Sequence, residues 1–290
     1  MRHLRIVPDD TKFGFMRFRR TAIDGMEFLL LRQGMAGEVG YELHGRWDEG
    51  AAVYQRLVDL GQKYGIRRLG GRTKMVNHVE ACFPTPGVDY VPAWAGLPEA
   101  ERDALRAHVP ARSWDRVQRF SGNYARGDVR RLFFSPVELG WGRNIRFDHD
   151  FTGSDALRDE VDQPRRVMRT LVWNSDDVAD VMTSLLRKDE EPYEVMELPR
   201  ELLGNVRADT VLAAGREAGV ATSRCYSYYF REMLSLAVLD VGHAEPGTPV
   251  EVLWGSEGSR QKIIRAAVAP APYKTDRRRS DVSALPAPAL

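Results

Sequence analysis

Two runs rich in apolar residues lie within FGFMRFRRTAIDGMEFLLLRQG, Phe13 to Gly34, and meet at Asp24-Gly25. That dipeptide favours a type I′ turn, whose two central residues both take positive φ, so the pattern predicts a hairpin. A turn with Gly34, Gly37 and Gly40 three apart follows, and then YELHG, which reads as a strand built for burial. In WDEGAAVYQRLVDLGQKYG, Val53, Leu57, Leu60, Gly61 and Tyr64 fall on one helical face, with Asp48 as the expected N-cap and Gly65 as the stop. Hairpin, strand and helix make an α+β unit. Residues 92 to 130 are mixed, with one helix predicted at PEAERDALRAHV.

Beyond Asp155 the pattern shortens. RRVMRTLVW, YEVMELP, GVATSRCYSYYF, LSLAVLDVG, PVEVLWG and IIRAAVAPAPY read as strands separated by turn residues. One helix interrupts them at SDDVADVMTSLLRK, with Ser175 as its expected cap and Val178, Val181, Met182, Leu185 and Leu186 on one face. Short strands at this spacing predict a small β-barrel or sandwich. The closing DRRRSDVSALPAPAL, basic and rich in Pro and Ala, predicts a solvated tail.

Composition narrows the function classes. With 290 residues and 43% apolar content the chain can bury a substantial core. Its 42 Lys and Arg oppose 41 Asp and Glu, so no global field recruits nucleic acid or a membrane surface. Two cysteines, Cys82 and Cys225, make no disulfide framework and fit a reducing compartment, which with the absence of a leader or long apolar run predicts a cytoplasmic protein.

Several chemistries lack a signature. His3, His44, His78, His108, His149 and His243 offer no i, i+4 pair and no cysteine at ligand spacing, so no metal site is expected. DHD at Asp148 to Asp150 reads as a polar turn ahead of a helix starting near Ser154. Neither G-x-S-x-G, nor a P-loop, nor a strand-linked G-x-G-x-x-G occurs.

Two stretches remain, Leu29 to Gly45 and LGGRTKMVNHVEACFPTPG, Leu69 to Gly87. On one reading the glycines build a tight turn and Glu42 and Glu80 are edge carboxylates. On the other, glycine lets backbone approach a flat ligand while a carboxylate accepts hydrogen bonds from a ring with paired N–H donors, such as a pterin.

RQGMAGEVGYELHG resembles the R-x-G-x-x-G-x-x-G-x-E strand-turn-strand of the glycine-cleavage T-protein (aminomethyltransferase) superfamily, and SPVELGWGRNIRFDHDFTGSDAL resembles its stretch leading into a C-terminal barrel. RQGMAG, the spacing from Arg72 to Glu80 and FDHDFTGSDAL place the likeness closest to the tetrahydrofolate-dependent aromatic O-demethylases of the vanillate and syringate type. It runs from about Lys12 to Tyr273.

The resemblance implies an α+β fold: the C-terminal part of a folate-binding aminomethyltransferase-like domain over 1–155, a β-barrel over 156–275 and a disordered tail over 276–290. It implies tetrahydrofolate as cofactor, with Glu42, Glu80 and Phe83 as cofactor-binding positions. Lys74 stands where the demethylases carry the tyrosine proposed to protonate the leaving oxygen, which makes it the candidate catalytic residue, as an acid or as an anchor for a substrate carboxylate. An N-terminal segment of the family pattern is not matched, so the expected partner is a separately encoded N-terminal half in a heterodimer, beside a small-molecule one-carbon donor. A non-catalytic folate-binding protein and a remnant kept for its interaction surface are the alternatives.

Overall fold

The computed structural model describes residues 13–110, 119–198 and 205–282. The chain forms two compact units, one from the chain up to Gly70 together with the chain from Lys274, the other from Gly71–Tyr273.

In the first unit, β1 (Phe18–Ile23), β2 (Met26–Leu31) and β3 (Glu42–Gly45) form an antiparallel sheet with β2 in the middle. Asp24 and Gly25 have φ of 50° and 84°, as the predicted turn requires. Helix α1 (Gly50–Gly61) lays Val53, Leu57 and Leu60 on Phe28 and Leu30, and Gly65, left-handed at φ 68°, ends the turn that follows.

Three expectations change here. Asp48 does not cap α1: its carboxylate is taken by the Arg46 guanidinium at 2.6 and 3.1 Å. Strand β3 is not buried; Glu42 and Leu43 are half-buried and His44 and Gly45 exposed, because β3 is an edge strand pairing with β2 alone among the described residues. The start of the expected tail is held in place. Arg277 N–H donates to the Gly37 carbonyl at 2.8 Å, and the buried Arg32 guanidinium donates to the carbonyls of Phe13 (2.5 Å), Arg278 (3.2 Å) and Ser280. A guanidinium removed from water must find acceptors, and backbone carbonyls supply them. The last eight residues of that tail, 283–290, lie outside the described residues.

The second unit contains helices α2 (Gly71–Glu80) and α3 (Glu99–Ala107), strand β4 (Arg119–Gly122) and helix α4 (Ser154–Asp162). After these come β5 (Arg166–Trp173), α5 (Ser175–Ser184), β6 (Asn205–Ala213), β7 (Arg216–Ser227), β8 (Glu232–Asp240), β9 (Pro249–Trp254) and β10 (Lys262–Ala269). The order β6-β7-β8-β5-β10-β9 is antiparallel throughout and closes through β6 on β9, where Val211 faces Val252. This is a closed six-stranded barrel, with β4 added in parallel to β6. Alternate strand positions separate two cores. Leu171, Trp173, Val211, Leu239, Val252 and Trp254 belong to one, while Val206, Val220, Leu234, Leu236 and Val238 pack with Val76 and Val79 of α2 in the other.

The helix start at Ser154 is as expected, whereas α5 is capped by Asn174 rather than Ser175, the Asn174 amide oxygen accepting the N–H groups of Asp176 and Asp177 at 3.1 Å. Tyr193 to Leu198 is not a strand. Strand β6, instead, supplies the barrel, hidden from the apolar pattern by its buried Arg207 and Asp209. The division expected between 155 and 156 falls inside this compact unit, at the start of α4.

Candidate functional site

Helix α2 is fastened to β7 by polar groups in an otherwise apolar seam. A strand shows every second residue to one side, and on β7 the series Ser223, Cys225 and Ser227 meets α2. Ser223 Oγ lies 2.7 Å from His78 Nε2, the Cys225 thiol points to the Val76 carbonyl at 3.9 Å, and Ser227 Oγ donates to Glu80 Oε1 at 2.6 Å. Asp89 completes the seam. Its Oδ1 accepts from the Ser223 and Thr222 hydroxyls, the latter at 2.8 Å, and its Oδ2 accepts the Thr85 N–H at 2.8 Å, with His78 Nε2 at 3.4 Å.

His78 and Asp89 are each 1% exposed. Because the Ser223 hydroxyl gives its hydrogen to Asp89, its oxygen accepts from His78, which places a proton on His78 Nε2. Burial alone would raise the Asp89 pKa, but the His78 bond and charge, with Ser223 and Thr85, hold it below the usual carboxylate range. Burial also pushes the Cys225 thiol up, and the Glu80 charge adds to this, so the thiol is an inert packing group.

The outer face of α2 forms one wall of a groove of about 330 Å³. Arg72, Thr73, Asn77 and Glu80 line it from the helix, and Tyr228 and Tyr229 from the turn after β7. Glu80 is only 5% exposed. With Oε1 bound to Ser227, its Oε2 takes no hydrogen bond from the described residues. Tyr228 and Tyr229 are 72% and 76% exposed, large flat faces offered to solvent beside a buried carboxylate. Phe83, half-buried, follows α2 and closes its end by donating its N–H to the His78 carbonyl at 2.8 Å. Lys74 is exposed on α2 and does not line the groove.

In the first unit the glycine turn is explained by its own packing. A side chain on Gly40 would meet the Gln33 carbonyl oxygen at 2.8 Å, and one on Gly34 would meet the Gly40 Cα at 3.2 Å, so the two strands of the turn touch backbone to backbone. Gly37 takes φ 71° at the bend. The tight turn aims Gln33 at Glu42, whose Oε1 accepts from Gln33 Nε2 at 2.6 Å, while His44 Nε2 lies 3.2 Å from Oε2. The Glu42 side chain is 42% exposed, a carboxylate oriented by neighbours yet open to a ligand.

Residues 4–95 match the family described as the GCVT N-terminal domain. A sesamin methylene transferase of Sinomonas sp. (strain No.22) is 36% identical over 97% of this chain and 64% of its own length. A syringate O-demethylase of Sphingobium sp. (strain NBRC 103272 / SYK-6) is 32% identical over 92% of this chain and 58% of its own. The chain is thus similar to members of the glycine-cleavage T-protein superfamily, as RQGMAGEVGYELHG led one to expect. The crystal structure of glycine cleavage system aminomethyltransferase T from Bartonella henselae superposes with a TM-score of 0.57 over 95% of this chain and 56% of that one, at 16% identity, a likeness of fold. The chain spans 64% and 58% of the length of those two curated relatives.

Sequence reasoning singled out Glu80 and Phe83 but missed the His78, Asp89 and Ser223 network and the two tyrosines. The signal for the network was small polar residues at every second position of the apolar strand GVATSRCYS. Among the described residues no cluster of His, Cys, Asp and Glu could hold a metal ion, and no helix is long and apolar enough to cross a membrane.

Proposed function

We propose that the chain is the barrel-bearing component of a tetrahydrofolate-dependent methyl or one-carbon transferase that takes the methyl group of a methoxylated aromatic acid. The observation that carries this reading is Glu80: a carboxylate buried to 5% exposure, pinned through one oxygen, its other oxygen open, on the wall of a groove flanked by two exposed tyrosines. A pterin ring presents paired N–H donors and a flat face, and these need a fixed carboxylate and aromatic surface. A groove of this size falls in the range of small-molecule sites. When bound, tetrahydrofolate supplies the acceptor for the one-carbon unit.

Glu42, Glu80 and Phe83 are proposed as the cofactor-binding positions, and Lys74 as the candidate acid or carboxylate anchor. The relatives named above, a methylene transferase and an O-demethylase, lend support through their kind of reaction. Their remaining length, whether on one polypeptide or on a separately encoded half, completes the pocket in this reading, and the division at 155 and 156 is one of descent. The alternative, a non-catalytic folate-binding protein, rests on the same groove.

Incubating the chain, alone and with the segment that completes its relatives, with tetrahydrofolate and methoxylated benzoic acids separates the two. Release of the phenol with matching loss of tetrahydrofolate is expected. Saturable folate binding without turnover in any combination would favour the binding protein.

A further inference from the structure

The groove on α2 is electrically two-ended. Arg72 stands in the first turn of the helix and Glu80 is its last residue, and both line the groove. At 1.5 Å of rise per residue the two positions lie about 12 Å apart along the helix axis. The first turn of α2 holds no acid. A helix favours acids at its N-terminus and bases at its C-terminus, so this pair runs against the dipole, and each side chain adds to the field of the end that carries it.

The polar groups along this face are uncommitted. Among the described residues the Arg72 guanidinium, the Thr73 hydroxyl and the Asn77 amide take no hydrogen bond or ion pair, and neither does the second oxygen of Glu80. Other arginines of the same unit hold acids: Arg166 holds Glu138, Arg187 holds Asp180 and Arg265 holds Asp177. Lys74 is exposed but does not line the groove, so Arg72 is the cation placed to meet a ligand there.

We propose that Arg72 is the anion anchor of the groove, gripping a carboxylate of the ligand at one end while Glu80 meets N–H donors at the other. The planar fork of an arginine matches the two oxygens of a carboxylate, and Arg72 can engage one without giving up an existing acid. Thr73 and Asn77, one helical turn apart on the same face, add donors between the two ends.

This anchor deepens the proposed function and rests on the groove as the ligand site. The carboxylate has two sources, the glutamate tail of tetrahydrofolate and the acid group of an aromatic substrate.

The test is calorimetry of the wild-type chain, Arg72→Gln and Arg72→Lys with three ligands: tetrahydrofolate, 6-methyltetrahydropterin, which keeps the ring and lacks the tail, and 4-methoxybenzoate. Arg72 is exposed, so neither substitution should unfold the chain. Arg72→Gln should weaken a carboxylate-bearing ligand about tenfold, and Arg72→Lys should recover part of the loss. The tailless pterin should bind all three proteins alike. A loss confined to tetrahydrofolate assigns the anchor to the folate tail, and one confined to 4-methoxybenzoate assigns it to the substrate acid. If Arg72→Gln binds both carboxylate ligands as tightly as the wild type, or loses as much affinity for the tailless pterin as for tetrahydrofolate, the anchor is overturned while the groove remains a folate site. Failure of all three ligands to bind the wild type would overturn both readings.

Discussion

Lys74 carries a prediction that follows from its place. It is exposed on α2 and outside the groove lining, so its proposed role is open to direct test: as the acid, Lys74→Met should lower turnover by roughly 10²- to 10⁴-fold, as a carboxylate anchor it should mainly raise KM, and a change of less than about threefold in both steady-state constants would remove it from the reaction. Glu42 should act on binding. Its carboxylate is oriented by Gln33 and accessible, and Glu42→Gln should weaken tetrahydrofolate binding by the roughly 1.5 to 3 kcal/mol of a charge-assisted hydrogen bond while leaving the thermal midpoint within a degree or so. Unchanged affinity would make Glu42 a turn carboxylate only. At this scale the sequence was informative about residue type, since a carboxylate among glycines stands out. It was silent about His78, whose meaning depends on Ser223, 145 positions away, and on Asp89, which the fold brings to both.

At the level of elements, the α2 and β7 seam predicts an acid limit to stability. The Asp89 pKa is lowered in the folded state, so the unfolded chain binds the proton more tightly; the stabilisation is complete above the ordinary value of about 4 and is lost as pH falls through the lower folded value. Urea midpoints should therefore fall below pH about 4 in the wild type, while Asp89→Asn should be less stable at pH 7 and flatter with acid. Parallel curves would contradict this. Gly40→Ala should cost about 1 to 3 kcal/mol, because the obstacle is backbone at 2.8 Å and cannot rotate away. Hairpin, α1 and most barrel strands were legible because their apolar periods are regular. Strand β6 was not, because buried Arg207 and Asp209 interrupt the pattern, and their mutual pairing, the Glu194 carboxylate on Arg207 and the Trp254 ring make those charges tolerable inside a barrel. The caps failed for local reasons: Asp48 is taken by the Arg46 guanidinium, and Asn174, one position before Ser175, already accepts the first N–H groups of α5.

For the whole molecule, the family likeness was readable from motif spacing and the barrel from the run of short strands, and the closed strand order agrees with the latter. The grouping of the chain into compact units was not readable, because the C-terminal residues return to the first unit through Arg32 and Gly37, contacts with no sequence period. The proposed folate site in the groove on α2 depends on Glu80. Calorimetric titration of tetrahydrofolate into the wild-type chain and into Glu80→Gln tests it most directly. Saturable binding to the wild type is expected, with a loss on the order of 10- to 150-fold in the variant, the equivalent of one charge-assisted hydrogen bond. Identical affinity in the two proteins, or no saturable binding by either, would contradict it.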